Sequence, residues 1–162
     1  MHGLCILKLC KVNSISQSKI LANIIYKLYN TGKVVRVLEI QKLLGFDRIY
    51  QAECFPGEVK SMFEKSTGDM ERYMKWLYTW LSVLDSDGMS ALNLEQFEYL
   101  KGTNNPNLYS IRHPHSQINE RYIYVYADGE SVILLTAFKE KNARDYQSAI
   151  TRAEHIFSEL EN

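Results

Sequence analysis

An α+β fold, a small mostly antiparallel sheet packed with helices, is what this sequence predicts, and three observations carry that expectation. Arg121-Tyr-Ile-Tyr-Val-Tyr126 alternates aromatic with β-branched side chains, the pattern of a pleated strand with two different faces. Asp128-Gly129 supplies a tight turn, and Val132 to Phe138 reads as the returning strand. Met70, Tyr73, Met74, Leu77, Trp80, Leu81 and Leu84, and later Tyr146, Ala149, Ile150, Ala153, Phe157 and Leu160, recur at helical spacing.

Composition bounds the rest. The 162 residues suit one domain with a small appendage, and 46% hydrophobic with 23% charged residues is the balance of a soluble globular chain. Lysine plus arginine and aspartate plus glutamate are both 19, so any pull on nucleic acid or anionic membrane must come from a local patch. Cys5, Cys10 and Cys54 are odd in number and lack metal-type pairing, which fits a reducing compartment; no metal and no cofactor is expected. Gly3 to Leu9 is apolar but too short to span a membrane and is not followed by a cleavage site, so the expected address is cytoplasm, with no membrane partner.

Taken in order, residues 1–45 read as an N-terminal helical extension and residues 46–162 as the main domain. Ser14 and Gln17 suggest a capping box, Ile20 to Tyr29 an apolar helical stripe, and Asn30-Thr31-Gly32 its stop. A second short helix over Val37 to Leu44 is expected, which makes the first half of a helix-turn-helix conceivable. No basic recognition helix follows, since Arg48 is the only cation from Asp47 to Phe55. Arg48 to Phe55 reads as a strand interrupted by Pro56-Gly57. Glu58 to Lys65 and Asp69 to Leu84 follow as a helical hairpin or one broken helix, capped by Asp69 and ended by Asp85-Ser86-Asp87-Gly88. Asn93 and Gln96 suggest a further short helix ending near Leu100, and Lys101 to Asn107 a loop into the sheet.

The hairpin lets the sheet faces be counted. With Ala127 opposite Glu130, Tyr126 faces Ser131, Tyr124 faces Ile133 and Tyr122 faces Leu135, and Ala137, Lys139 and Lys141 continue on that side. Ile123, Val125, Val132, Leu134 and Phe138 take the other. Tyrosines with lysines at their far end suit stacked bases and held phosphates; equally, they suit a sheet face buried under helices with its lysines in water. Simple alternation puts Arg121 on the face away from Lys139 and Lys141.

Several short motifs in this last third follow one another: Leu108-Tyr-Ser-Ile-Arg112, Arg121-Tyr-Ile-Tyr, Asp128-Gly129, Ile133-Leu-Leu-Thr-Ala-Phe138, Lys139-Glu-Lys141 and Ser148-Ala-Ile-Thr-Arg-Ala153. In order and spacing they resemble the RelE/ParE superfamily of bacterial toxins, most closely its HigB-like, phage-derived branch, over roughly residues 49 to 160. The resemblance implies a RelE-like fold and the toxin of a type II toxin-antitoxin system. Such a toxin cleaves messenger RNA without a metal, commonly on the ribosome, and its partner is a cognate antitoxin, here expected to be a helix-turn-helix protein. A ribose 2′-hydroxyl attacks the neighbouring phosphate, so the protein must stabilise anionic charge and move two protons.

By position the resemblance implies Arg121 for transition-state charge and Tyr146 or Lys141 for proton transfer. Arg112 and Lys139 are implied for backbone phosphates. Tyr122, Tyr124 and His113 complete the expected RNA contacts. Against activity stand the charge balance from Leu108 to Asn162, six cations against eight acids, and Glu140 between the two lysines. Two alternatives therefore remain: a non-catalytic protein of the same fold that binds a protein partner through its N-terminal extension, and a DNA-binding regulator.

Overall fold

The tyrosine-rich hairpin forms the middle of a six-stranded sheet. A computed structural model describes residues 39–64, 67–103, 107–127 and 129–161, and the expected helix over Ser14 to Tyr29 lies outside them. The strands are β1 (Ile40–Lys42), β2 (Ile49–Ala52), β3 (Phe97–Tyr99), β4 (Leu108–Arg112), β5 (Glu120–Ala127) and β6 (Ser131–Lys139). Their order across the sheet is β1-β2-β6-β5-β4-β3, with β2 parallel to β6 and every other neighbouring pair antiparallel. Among the described residues three α-helices accompany the sheet: α1 (Phe55–Met62), α2 (Thr67–Asp87) and α3 (Ala143–Glu161). The fold is α+β, and no helix among these residues is long and apolar enough to cross a membrane.

Each helix sits on one face. From α1 and α2, Phe55, Val59, Met62, Tyr73, Leu77, Leu81 and Leu84 pack with Tyr122, Tyr124, Ile111, Val132 and Leu134. From α3, Ala149, Ile150, Ala153 and Ile156 pack with Ile123, Val125, Ile133, Leu135 and Phe138. Both faces are apolar because both are covered, which is why β6 is buried from Val132 to Phe138 without a break.

The hairpin is one residue out of the expected register. Ala127 pairs with Ser131 instead of Glu130, because the connection spans residues 128–130, with Gly129 at φ +81° and the Glu130 amide donating to the Ala127 carbonyl at 3.3 Å. That slip moves Val132 and Leu134 onto the tyrosine face and Ile133 and Leu135 off it, the reverse of the simple count. A β-bulge then undoes the slip. Ile123 pairs with Thr136 but Tyr124 with Leu134, so Leu135 has no cross-strand partner. Beyond it Ala137 shares the tyrosine face and Phe138 the opposite one, as the alternation predicts.

The bulge is anchored by side chains from both layers. Thr136, wholly buried, donates its hydroxyl to Glu58 Oε2 at 2.7 Å and accepts from Arg152 Nη2 at 2.7 Å. The Ala137 amide donates to the same Glu58 oxygen at 2.8 Å, and Arg152 Nε lies 2.9 Å from Glu58 Oε1. One carboxylate on α1 and one guanidinium on α3 thus close the β6 edge where β2 stops. Just before it, the Cys54 thiol donates to the Leu135 carbonyl at 3.6 Å, and burial pushes its pKa up, so it stays protonated.

Four local expectations are corrected. Ile40–Lys42 is a strand paired with β2, where a helix from Val37 to Leu44 was expected; short apolar runs fit either period, and the β2 partner decides. Pro56-Gly57 does not break the chain but lies in the first turn of α1, where proline's missing amide costs nothing. Asp69 is inside the first turn of α2, which starts at Thr67, so it meets the helix dipole without being the cap. A short 3₁₀ helix, Gly88–Asn93, replaces the helix expected to end near Leu100, and Phe97–Tyr99 pairs with β4 as an edge strand.

Candidate functional site

Arg112 and Arg121 are direct cross-strand partners on β4 and β5, so both project from the α3 side of the sheet. Tyr146 comes to the same place because Asn142 starts α3 there: its side-chain oxygen accepts from the Arg144 amide at 2.9 Å and the Asp145 amide at 3.1 Å. The Arg121 guanidinium carbon lies 5.2 Å from the centre of the Tyr146 ring, and Phe138 packs against that ring at 6.3 Å. Arg112 is held at the sheet margin, its Nε donating to the Glu95 carbonyl at 3.0 Å.

Arg121 does not stand free. Its Nη1 lies 2.8 Å from Glu98 Oε2, and its Nε is ion-paired with Glu140 Oε2. With only 14% of its side chain exposed, this arginine is largely desolvated and twice compensated. Two arginines and two glutamates leave the cluster without net charge. The Tyr146 hydroxyl has its pKa raised, first by desolvation and next by Glu98; Arg121 opposes this and Glu140 adds to it. The phenol therefore keeps its proton at neutral pH and can donate it, but is a poor base.

The remaining expected site residues are elsewhere. Lys139 is the cross-strand partner of Glu120 on the α1 side, with its Nζ 5.8 Å from the centre of the Phe63 ring. Lys141 is exposed in the turn before α3, where its amide donates to Asp145 Oδ2 at 3.1 Å. Lys139, Lys141, Glu58, Asp145 and Arg152 line an open cleft of about 450 Å³ along the β6 edge, together with Phe138, the residue that packs on Tyr146.

Tyr122 and Tyr124 are wholly buried beneath α1 and α2, which corrects the expectation that they stack RNA bases. Burial, the largest cause for each, pushes both phenols far up. The physical reason is the two-sided core: the face that looked dressed for a ligand is dressed for helices.

His113, with 22% of its side chain exposed, is engaged in internal contacts. Its Nδ1 meets Glu120 Oε1, its ring lies flat on Trp76 at 3.9 Å and 5°, and Tyr73 meets it edge-on at 5.7 Å. Ser116 Oγ donates to the other oxygen of Glu120, a residue with no exposed surface. This pair ties the β4–β5 loop to α2.

Sequence reasoning missed Glu98, Glu120 and the engagement of Glu140. Glu120 was recoverable, because a period of two from Tyr122 puts it on the same buried face. Glu98 was not, since its segment reads as helix and only the β3–β4 pairing gives it a neighbour. Comparison of the chain with protein-family models, curated proteins and solved structures returns no match.

Proposed function

We propose that this chain is a toxin of the RelE/ParE type, HigB-like branch, that acts in the cytoplasm by cleaving messenger RNA without a metal and is neutralised by a cognate antitoxin. The observation that carries the reading is the meeting of Arg121, its partner Arg112 and Tyr146 on one face. The element order supports it too: apart from the three-residue edge strands β1 and β3, it is a strand, two helices, three antiparallel strands and a closing helix, with β2 parallel to β6.

In this mechanism Arg121 stabilises the charge that builds on the phosphorane, since its guanidinium stays ionised and offers parallel N–H donors. Tyr146, protonated at neutral pH, donates to the leaving oxygen. The bases of the cluster are the Glu98 and Glu140 carboxylates, one of which takes the 2′-hydroxyl proton. Because both are engaged with Arg121, the roughly 10²–10⁴ in rate that a positioned base is worth is only partly realised, and turnover is slow.

Inducible expression in a bacterial host tests this. Growth arrest with shortened transcripts, relieved by the antitoxin and abolished by Arg121→Ala, is the expected result. Soluble chain that leaves growth and transcripts intact removes the proposal. A second reading, a non-catalytic binding protein of this fold, is favoured by the double pairing of Arg121 with Glu98 and Glu140. Partner capture that is lost on deleting residues 1–37, which precede β1, with no effect on growth, is its signature.

A further inference from the structure

We propose that Glu98 and Glu140 are resident anions: their carboxylates occupy the positions around Arg121 that a phosphodiester would take, so these residues set how strongly this face holds an RNA backbone. The inference rests on the reading of Arg121 as the phosphate-binding charge. An arginine grips a phosphate through a fork of parallel N–H groups; here Nη1 donates to Glu98 at 2.8 Å and the Glu140 carboxylate is ion-paired at Nε. Tyr146 closes one face of the guanidinium. An incoming phosphate must therefore displace a carboxylate and then sit beside the one that stays, at a cost in like-charge repulsion.

The two glutamates are not held alike. Glu140 is clipped at both ends of its peptide, its amide donating to the Asn119 carbonyl at 2.9 Å and its carbonyl accepting from Asn119 Nδ2 at 2.9 Å. Asn119 itself is fixed in a left-handed conformation at φ +46°. Glu98 sits on the edge strand β3 with 39% of its side chain exposed. Glu98 is the exchangeable anion; Glu140 remains and opposes the ligand.

The test measures binding of a labelled single-stranded RNA, protected from cleavage by 2′-O-methyl groups, to the full chain at fixed salt. Glu98→Gln and Glu140→Gln keep size and hydrogen bonding while removing charge, and thermal melting checks that each variant folds. Each is expected to bind about tenfold tighter than the parent, ~1.4 kcal/mol, with the larger gain at Glu140. Both gains must vanish in an Arg121→Ala background.

Gains that survive Arg121→Ala reflect bulk charge and overturn the proposal. So does a parent chain that binds RNA through Arg121 while the glutamine variants bind no tighter, a result that leaves the ribonuclease reading standing. RNA bound by neither parent nor variants overturns the Arg121 reading and this one together.

Discussion

Replacing Glu58 with alanine withdraws one carboxylate from three donors at once. The Ala137 amide, 2.8 Å away, loses its acceptor on a residue that is buried, and a buried amide left unpaired costs about 1–3 kcal/mol. The Thr136 hydroxyl loses its acceptor at 2.7 Å but keeps the Arg152 donors, so its share is the smaller, about 0.5–1 kcal/mol. Arg152 is 42% exposed and falls back on water, so it adds little. The expected total is about 2–3 kcal/mol, which for a domain of this size lowers Tm by roughly 6–10 °C.

Urea unfolding followed by the fluorescence of Trp76 and Trp80 measures the loss, with an unchanged m-value showing that the unfolded state is not what moved. Thr136→Val and the double variant complete a cycle. The two changes act on one network, so the double should cost about 1 kcal/mol less than the sum. A loss under about 0.5 kcal/mol for Glu58→Ala, against the range expected for an orphaned amide, would refute the view that this carboxylate closes the sheet edge.

Tyr122→Phe should stabilise the protein by about 0.5–1 kcal/mol in the same assay, because its hydroxyl is buried without a hydrogen-bond partner. A clear loss would mean that the hydroxyl is satisfied after all. Gly57→Ala, within α1 and with open space around the added carbon, should stabilise by about 0.5–1 kcal/mol. Gly129→Ala has equal room but φ +81°, and should cost about 1 kcal/mol; equal signs for the two would contradict the hairpin conformation.

Alkali is predicted to unfold the chain. Tyr109, Tyr122, Tyr124, Tyr126 and Tyr146 all have pKa values raised above the usual 10.0, chiefly by burial, with Tyr126 pushed up to about 12. Above pH 10 the unfolded chain gives up these protons first and binds fewer than the native one. Stability is therefore full below pH 10 and falls as the pH rises toward 12. Absorbance at 295 nm should show the buried phenols ionising only as the fold melts, and reversible titration of all of them near pH 10 in a folded chain would exclude this.

How much of the fold was legible follows from how local each cause is. The run of alternating aromatics at Tyr122 to Tyr126, the glycine at 129, the stripe from Tyr73 to Leu84 and the stripe from Tyr146 to Leu160 each act within a few residues, and each made the element they announce. Strands β1 and β3 are three residues each, too short to show a period, and exist because β2 and β4 offer them edges.

The candidate site divides the same way. Arg121, Arg112 and Tyr146 could be picked from the order of motifs, and alternation alone placed Lys139 on the face opposite Arg121. What occupies Arg121 could not be. Glu98 lies 23 positions away and Glu140 is in a different turn, and a charge is neutralised by whatever is near in space.

The amino-acid sequence by itself determined the class of fold, the central hairpin, the long helices and the identity of the charged groups, because periodicity and turn chemistry are short-range properties. Tertiary structure alone decided the bulge at Leu135, the burial of Tyr122 and Tyr124, and the pairing of Arg121 with two carboxylates. Register, coverage and charge compensation depend on partners that the chain meets only after it has folded.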